Sequence, residues 1–319
     1  NDYINRILNI SFSERNIITR FSAWQSAIKG IKEKPILGWG PENFTAVSGK
    51  YYDPAIYRGT RNEHIFDRSH NIFLDILVNQ GLVGFVIWVL LWIAVVSVFI
   101  KSGPKGLPLI FLALAYFIHN FFIFDLIPTY ILIAAFFSLA ASQEKEQIPS
   151  NVSGSSLNRK KLSAIFILTG LIFGYILYNF NFRTAAANFY STRSYTHFFK
   201  GEYQKGIDYY KKARDFAVNP KTDIRRKFSE SFISLMYDGN IEKSLSEQEL
   251  RNIFSEMVYE FKDEIKKDSQ DFVSYSYMTK ILQAAGNFIS PEFFRDAEAY
   301  ARKNLEIAPR MPNIWQDLA

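Results

Sequence analysis

The chain has 319 residues, 48% hydrophobic and 17% aromatic, with a net charge of +6 and no cysteine. Its mean hydropathy of −0.05 averages two populations, because residues 71–182 are almost free of charge while the rest is charged like a soluble protein. The charges of the C-terminal part nearly cancel, which argues against nucleic acid as a partner, and the absence of cysteine fits either redox compartment.

In chain order, Ser13–Lys34 comes first. It spaces Ile17, Phe21, Trp24 and Ile28 by three and four residues, the pattern of an amphipathic helix. Pro35 ends it, and Gly38, Gly40 and Pro41 mark a tight loop. Tyr51–Asp67 has no clear period. From Asn71 to Ile100 the chain then turns into a membrane-length apolar run.

A membrane span needs about 20 apolar residues. Four stretches reach or approach that: Ile72–Ile100, Leu107–Phe124, Leu126–Ala141 (short, and beginning beside Pro128) and Leu162–Phe182. Lys101 and Lys105 follow the first, and Arg159, Lys160 and Lys161 precede the fourth. The positive-inside rule puts those links in the cytoplasm, and hence residues 1–70 and everything after Phe182 on the outer side. Gln143–Ser156 is a polar linker. The first residue is Asn, no signal peptide is visible, and the last residues look like the start of another helix. The expectation is a fragment that lacks earlier spans.

Beyond Phe182 the expected helices are Thr184–Lys200, Tyr203–Val218, Asp223–Asp238, Ser246–Asp268, Asp271–Ala285 and Pro291–Ile307. Gly201–Ala213, followed by Pro220, and Phe293–Ala301, followed by Pro309, resemble the second helix of a tetratricopeptide repeat. Gly206 with Ala213, and Ala297 with Ala301, are small enough for helices to approach closely. The alternative is a generic helical bundle. The expected fold is all-α, with about four membrane helices, part of a larger bundle, and a soluble tetratricopeptide-like tail. Its domains are an extramembrane segment with an amphipathic helix (1–70), transmembrane helices (71–182) and an outer helical domain (183–319).

Several features of the N-terminal part form one constellation. Arg20 is followed by Trp24, then by Pro35-Ile36-Leu37-Gly38-Trp39-Gly40 and Phe44. His70-Asn71 comes next, then Gly81 after nine residues and Gly84 after two more. Together they resemble the O-antigen ligase and O-antigen polymerase family, which includes relatives that glycosylate proteins, over about residues 10–140.

The resemblance implies a membrane enzyme of the bacterial cell envelope, in the inner membrane. It would move a glycan from undecaprenyl diphosphate to a hydroxyl acceptor, lipid A core in lipopolysaccharide biosynthesis or a protein. The expected course is a single inverting displacement without metal or cofactor, and the segment before His70 has no Asp-x-Asp pair of the sort that holds a metal–diphosphate complex. Arg20 is the matched position for gripping the diphosphate as charge develops, and Arg15 either helps or is a solvated face. An imidazole, with an ordinary pKa of about 6.5, suits a general base at neutral pH, and His70 is the matched position. The partners implied are the lipid-linked glycan, the acceptor, membrane lipids and a protein partner for the tail.

Simpler roles stand beside these. His70-Asn71 would cap a helix, Arg20 would pair with Glu14 or Asp2, and Trp24 and Trp39 would anchor at the interface or pack. Gly81 and Gly84 would permit close packing or a bend. Glu63, His64, Asp67 and Arg68 either orient His70 or bind sugar, or are ordinary loop charges, and His119 and Asp125 either contribute to the active site or are solvated groups at the outer interface. A non-catalytic membrane scaffold carrying the tail is the alternative from another class.

Overall fold

The computed structural model describes residues 15–54, 56, 65–144, 159–217, 221–239, 241 and 244–318. All the described elements are helical. The chain divides into two units, one of Asn1–Ser153 with Leu305–Gln316 and one of Gly154–Asn304 with Asp317–Ala319.

The first unit holds α1 (Arg15–Glu33), α2 (Phe44–Lys50), α3 (Ile72–Lys101), a 3-10 turn at Gly103–Lys105, α4 (Leu107–Asn120) and α5 (Ile127–Glu144). Helix α3 is its axis, with α1, α2, α4 and α5 all packed on it. Trp92, Val95 and Phe99 meet Ala113, Phe136 and Ala140 in the core of α3, α4 and α5. Among the described residues one helix, Ile72–Lys101, is long and apolar enough to cross a membrane, and Ile127–Ser142 is apolar but shorter. Helix α4, at 14 residues, reaches about 21 Å, so the expected second span is shorter as a helix than its apolar sequence.

Helix α1 forms where its periodicity places it but buries the opposite face. Phe21 is 51% and Ile28 45% exposed, while Thr19, Ser22, Ala23, Ser26 and Ala27 are buried. The reason is clearance. A Cβ on Gly30 would lie 2.5 Å from Val47 and 3.1 Å from Val78, so only a face of small residues can reach α2 and α3. Ser26 Oγ donates to Tyr51 O (3.1 Å) and Ser22 Oγ to Asp53 (3.3 Å). At the far end of α1 Glu33 takes bonds from Lys50 (2.8 Å) and from the Tyr51 hydroxyl. Those two donors, Lys50 first, hold the Glu33 carboxyl below its ordinary range, while burial and then Glu33 push the Tyr51 phenol up to about 12.

Helix α3 is interrupted. Gly81 has φ 66° and ψ −169°, which frees carbonyls before it and N–H groups after it. The loop Pro35–Gly40 satisfies both sets. Trp39 N donates to Val78 O (2.8 Å) and Gly40 N to Asn79 O (2.9 Å), while Leu82 N reaches Pro35 O (2.8 Å) and Val83 N reaches Ile36 O (3.2 Å). The approach leaves no room for side chains, since a Cβ on Gly38 would lie 2.6 Å from Gly81 N. The Pro-Ile-Leu-Gly-Trp-Gly run and Gly81 are therefore two halves of one interlock. Gly84 adds space for the Gln80 side chain, which its Cβ would meet at 2.4 Å. Trp39 fixes the loop, its Nε1 donating to Gly30 O at 2.9 Å with Lys34 Nζ 4.0 Å from the ring centre. Because Gly30 O also accepts from Lys34 N, Trp39→Phe should cost only about 1 kcal/mol, read as a lowered midpoint of thermal unfolding in detergent.

The second unit begins with α6 (Arg159–Ile176), which continues through a π-helical segment, Leu177–Phe182, into α7 (Arg183–Phe199). The fourth apolar stretch is thus the first part of a longer helix. Then come α8 (Tyr203–Phe216), α9 (Lys221–Tyr237), α10 (Glu247–Lys267), α11 (Phe272–Phe288) and α12 (Phe293–Ile307), within a few residues of expectation; the last residues of α12 and most of the following helix, α13 (Pro312–Leu318), belong to the first unit. Small residues do set the close contact of α7 with α8. Gly206 lies under the Phe198 ring, 2.8 Å from where its Cβ would be, and its carbonyl accepts from Ser194 Oγ at 2.7 Å. Ala213, Ala297 and Ala301 are buried. Buried charges join α8, α9 and α10: Arg225 lies between Glu260 (3.4 Å) and Glu264 (2.8 Å), and Tyr210 donates to Glu260. Mutual pairing is what lets such groups sit inside.

Candidate functional site

The first turn of α3 and the residues before it form an ordered polar corner. Asn71 is the N-cap of α3, its side chain accepting from Phe73 N (3.0 Å) and Leu74 N (3.2 Å). Ser69 N donates to Asp75 Oδ1 at 2.7 Å, and Ser69 Oγ to Asn71 O at 3.0 Å. Ser69, Asn71 and Asp75 are buried. His70, flanked by two of them, takes a left-handed backbone with φ 56° and stays half-exposed. A left-handed backbone at a non-glycine residue carries strain, which persists where neighbours enforce it; here Ser69, Asn71 and Asp75 do. Asn71→Ala should lose about 1 kcal/mol, most of it regained by Asn71→Ser, measured by thermal unfolding.

The His70 ring packs on Phe124, centroid to centroid 5.2 Å, and the Arg68 guanidinium lies over the same Phe124 ring at 5.4 Å. Phe124 belongs to the loop between α4 and α5, and the neighbouring residues of that loop reach α1. Trp24 lies 5.7 Å from Phe121 and 6.3 Å from Phe122. Arg20 is one helical turn before Trp24, so the two share a face of α1. Loop Phe121–Phe124 thus touches the motif residue Trp24 through its first rings and His70 through its last. Among the described residues Arg20 has no hydrogen-bond or ion-pair partner, and it is half-buried. The side chain of Arg15 and the residues Glu63, His64, Asp2 and Glu14 lie outside the described set.

Three acidic groups face this corner. Glu42, itself at φ 62°, accepts from Arg68 Nη2 with both oxygens, at 2.9 and 2.8 Å. Asp125 is buried, held by the Tyr116 hydroxyl (2.8 Å) and Asn120 Nδ2 (3.1 Å). Asp125 is thus enclosed by its helix-end neighbours and not in a solvated position, whereas His119 is exposed. Asp75 is buried with Oδ2 lacking a partner. Burial opposes the Arg68 charge, but Glu42, with Asp75 behind it, outweighs that and raises the guanidinium pKa above its ordinary value. An apolar cleft of about 550 Å³ opens beside Tyr116 and His119, lined also by Trp92, Leu112, Leu132 and Phe136.

Sequence reasoning missed Asp75, although it is the sole charge in the run from Asn71 to Ile100, a signal that ionisable groups in apolar spans give. It named Arg68 without separating it from its neighbours, and nothing local could have done so. The pairing with Glu42 and Phe124 is long-range.

Comparison with known proteins bears on the same region. Residues 2–89 match the family model described as O-Antigen ligase. The chain is 26% identical over 147 residues to a ComP-specific O-oligosaccharyltransferase of Acinetobacter baylyi, covering 46% of this chain and 26% of that protein. It is 31% identical over 99 residues to an uncharacterised protein of Haemophilus influenzae, covering 29% of this chain and 24% of that one. The chain thus spans about a quarter of the length of these curated relatives. No solved structure matches. The family match and the oligosaccharyltransferase relative support an O-antigen ligase-like family.

Proposed function

We propose that this chain carries the catalytic corner of a multi-pass inner-membrane glycosyltransferase of the O-antigen ligase type. It acts at the outer face on a glycan linked to a polyprenyl diphosphate such as undecaprenyl diphosphate. The observation that carries this reading is the shared loop: Phe121 and Phe122 meet Trp24, on the Arg20 face of α1, and Phe124 meets His70.

In the proposed reaction His70 takes the proton of the acceptor hydroxyl as its oxygen bonds to the anomeric carbon. The bond from that carbon to the phosphate oxygen breaks with inversion, and its electron pair leaves on the carrier's diphosphate, which Arg20 stabilises without a metal. The cleft beside Tyr116 and His119 offers an apolar seat for the carrier's first isoprene units. Apolar surface exposed along α3 after Gly81, at Leu82, Ile87, Leu90 and Ile93, is what lipid or neighbouring spans would cover, and supports placing α3 in the membrane, with α4 to α6 as the further spans of this reading. The helices after Phe182 then form an outer domain of tetratricopeptide-like pairs.

The acceptor distinguishes ligase, polymerase and protein oligosaccharyltransferase. The Acinetobacter baylyi relative, an O-oligosaccharyltransferase by name, favours a protein acceptor, as does a helical tail of the kind that binds polypeptides. The test is transfer by the full-length protein from lipid-linked glycan with lipid A core, lipid-linked glycan and protein offered in competition. Transfer to one of them identifies the class, and failure with all three, where a known relative works, would leave the membrane scaffold.

A further inference from the structure

We propose that Arg68 is a diphosphate-binding group of this site and that Glu42 holds its place until the carrier's diphosphate displaces it. This rests on the glycosyltransferase reading above.

The two halves of the ion pair are held very differently. The Arg68 side chain is 26% exposed and the Glu42 side chain 72%. Arg68 is fixed against the Phe124 ring, whereas Glu42 stands in water at the end of the Pro35–Pro41 loop. An ion pair with one exposed partner contributes little, so exchanging that partner costs little. A fixed cation with a loosely held anion is an anion site occupied by a replaceable side chain.

Donor count supports the exchange. Both Glu42 oxygens take their bonds from one nitrogen, Nη2. Among the described residues Nε and Nη1 of Arg68 donate to nothing. A guanidinium has five N–H donors in a planar fork that fits phosphate oxygens two at a time, so a diphosphate can use the fork where the carboxylate uses one prong.

Position and charge support it too. Arg68 and His70 lie on the same phenyl ring, so a phosphate on Arg68 would sit beside the group proposed to deprotonate the acceptor. Asp75 and Asp125 also act on Arg68 and would oppose an added dianion. Displacing Glu42 makes the event an exchange of one anion for another, with Arg20 available for the remaining charge.

The experiment measures binding of undecaprenyl diphosphate to the full-length protein in nanodiscs, with no transfer required. Arg68→Gln should weaken binding about ten- to a hundredfold, the range for a charge-assisted hydrogen bond. Glu42→Gln should tighten it about two- to fivefold, a gain that misfolding cannot produce. The reversed pair, Glu42→Arg with Arg68→Glu, restores the ion pair and should still bind poorly. If Arg68→Gln binds like the parent, or if both single variants weaken binding together and the reversed pair restores it, Arg68 is a structural tie and the proposal fails. In those cases a parent protein that binds leaves the glycosyltransferase reading standing. A parent protein that does not bind the carrier at all overturns both.

Discussion

His70→Asn is expected to lower the rate of glycan transfer about 10²- to 10⁴-fold, the span that a positioned proton acceptor contributes, while the protein stays folded. Asparagine is chosen because the backbone at position 70 lies at φ 56°. Asn tolerates that conformation better than most residues, so the loop tied by Ser69, Asn71 and Asp75 keeps its shape and only the imidazole is lost. Arg20→Gln should cost about 10²- to 10³-fold, the effect of removing one group that stabilises developing charge. Single-turnover transfer from purified lipid-linked donor, with thermal unfolding as the control, reads both. Full transfer activity in both variants would remove His70 and Arg20 from the catalytic machinery.

Gly81→Val is expected to destabilise the first unit by about 3 kcal/mol or more. Position 81 lies at φ 66° and ψ −169°, a region that is essentially glycine-only and costs other residues about 1–3 kcal/mol. A Cβ there would also lie 2.2 Å from Ile36 O and 2.6 Å from Gly38 N. The loop would have to retreat, giving up the bonds of Trp39, Gly40, Leu82 and Val83, each contributing about 0.5–1.5 kcal/mol. Gly103→Ala is the control. Its φ is 63° but nothing lies within 4 Å of its Cβ, so only conformational strain of about 1–2 kcal/mol applies. Equal unfolding midpoints for the two variants in detergent would mean that the interlock adds nothing.

Glu42, His70 and Gly81 bear on one region. Among the described residues Glu42 and His70 are the non-glycine positions with positive φ. Glu42 follows the loop that docks on the Gly81 break, and Arg68 connects it to the turn that holds His70. The motif glycines, assigned no chemistry, therefore fix the loop that carries Glu42 to Arg68.

The sequence by itself determined the helical class, the bounds of α1 and of α8 to α12 to within a few residues, the apolar run of α3 and the motif residues. All of these are local signals, carried by periodicity, by Gly and Pro punctuation and by residue spacing within one segment. Tertiary structure decided which face of α1 is buried, because clearance at Gly30 depends on Val47 and Val78, on the next two helices. It also decided why Gly38 and Gly81 are glycines, since the hydrogen bonds freed by the break are completed by a loop some forty residues earlier. And it singled out Arg68 and Asp75 from other charges, because a charge acquires a distinct role only from the partners that folding brings to it.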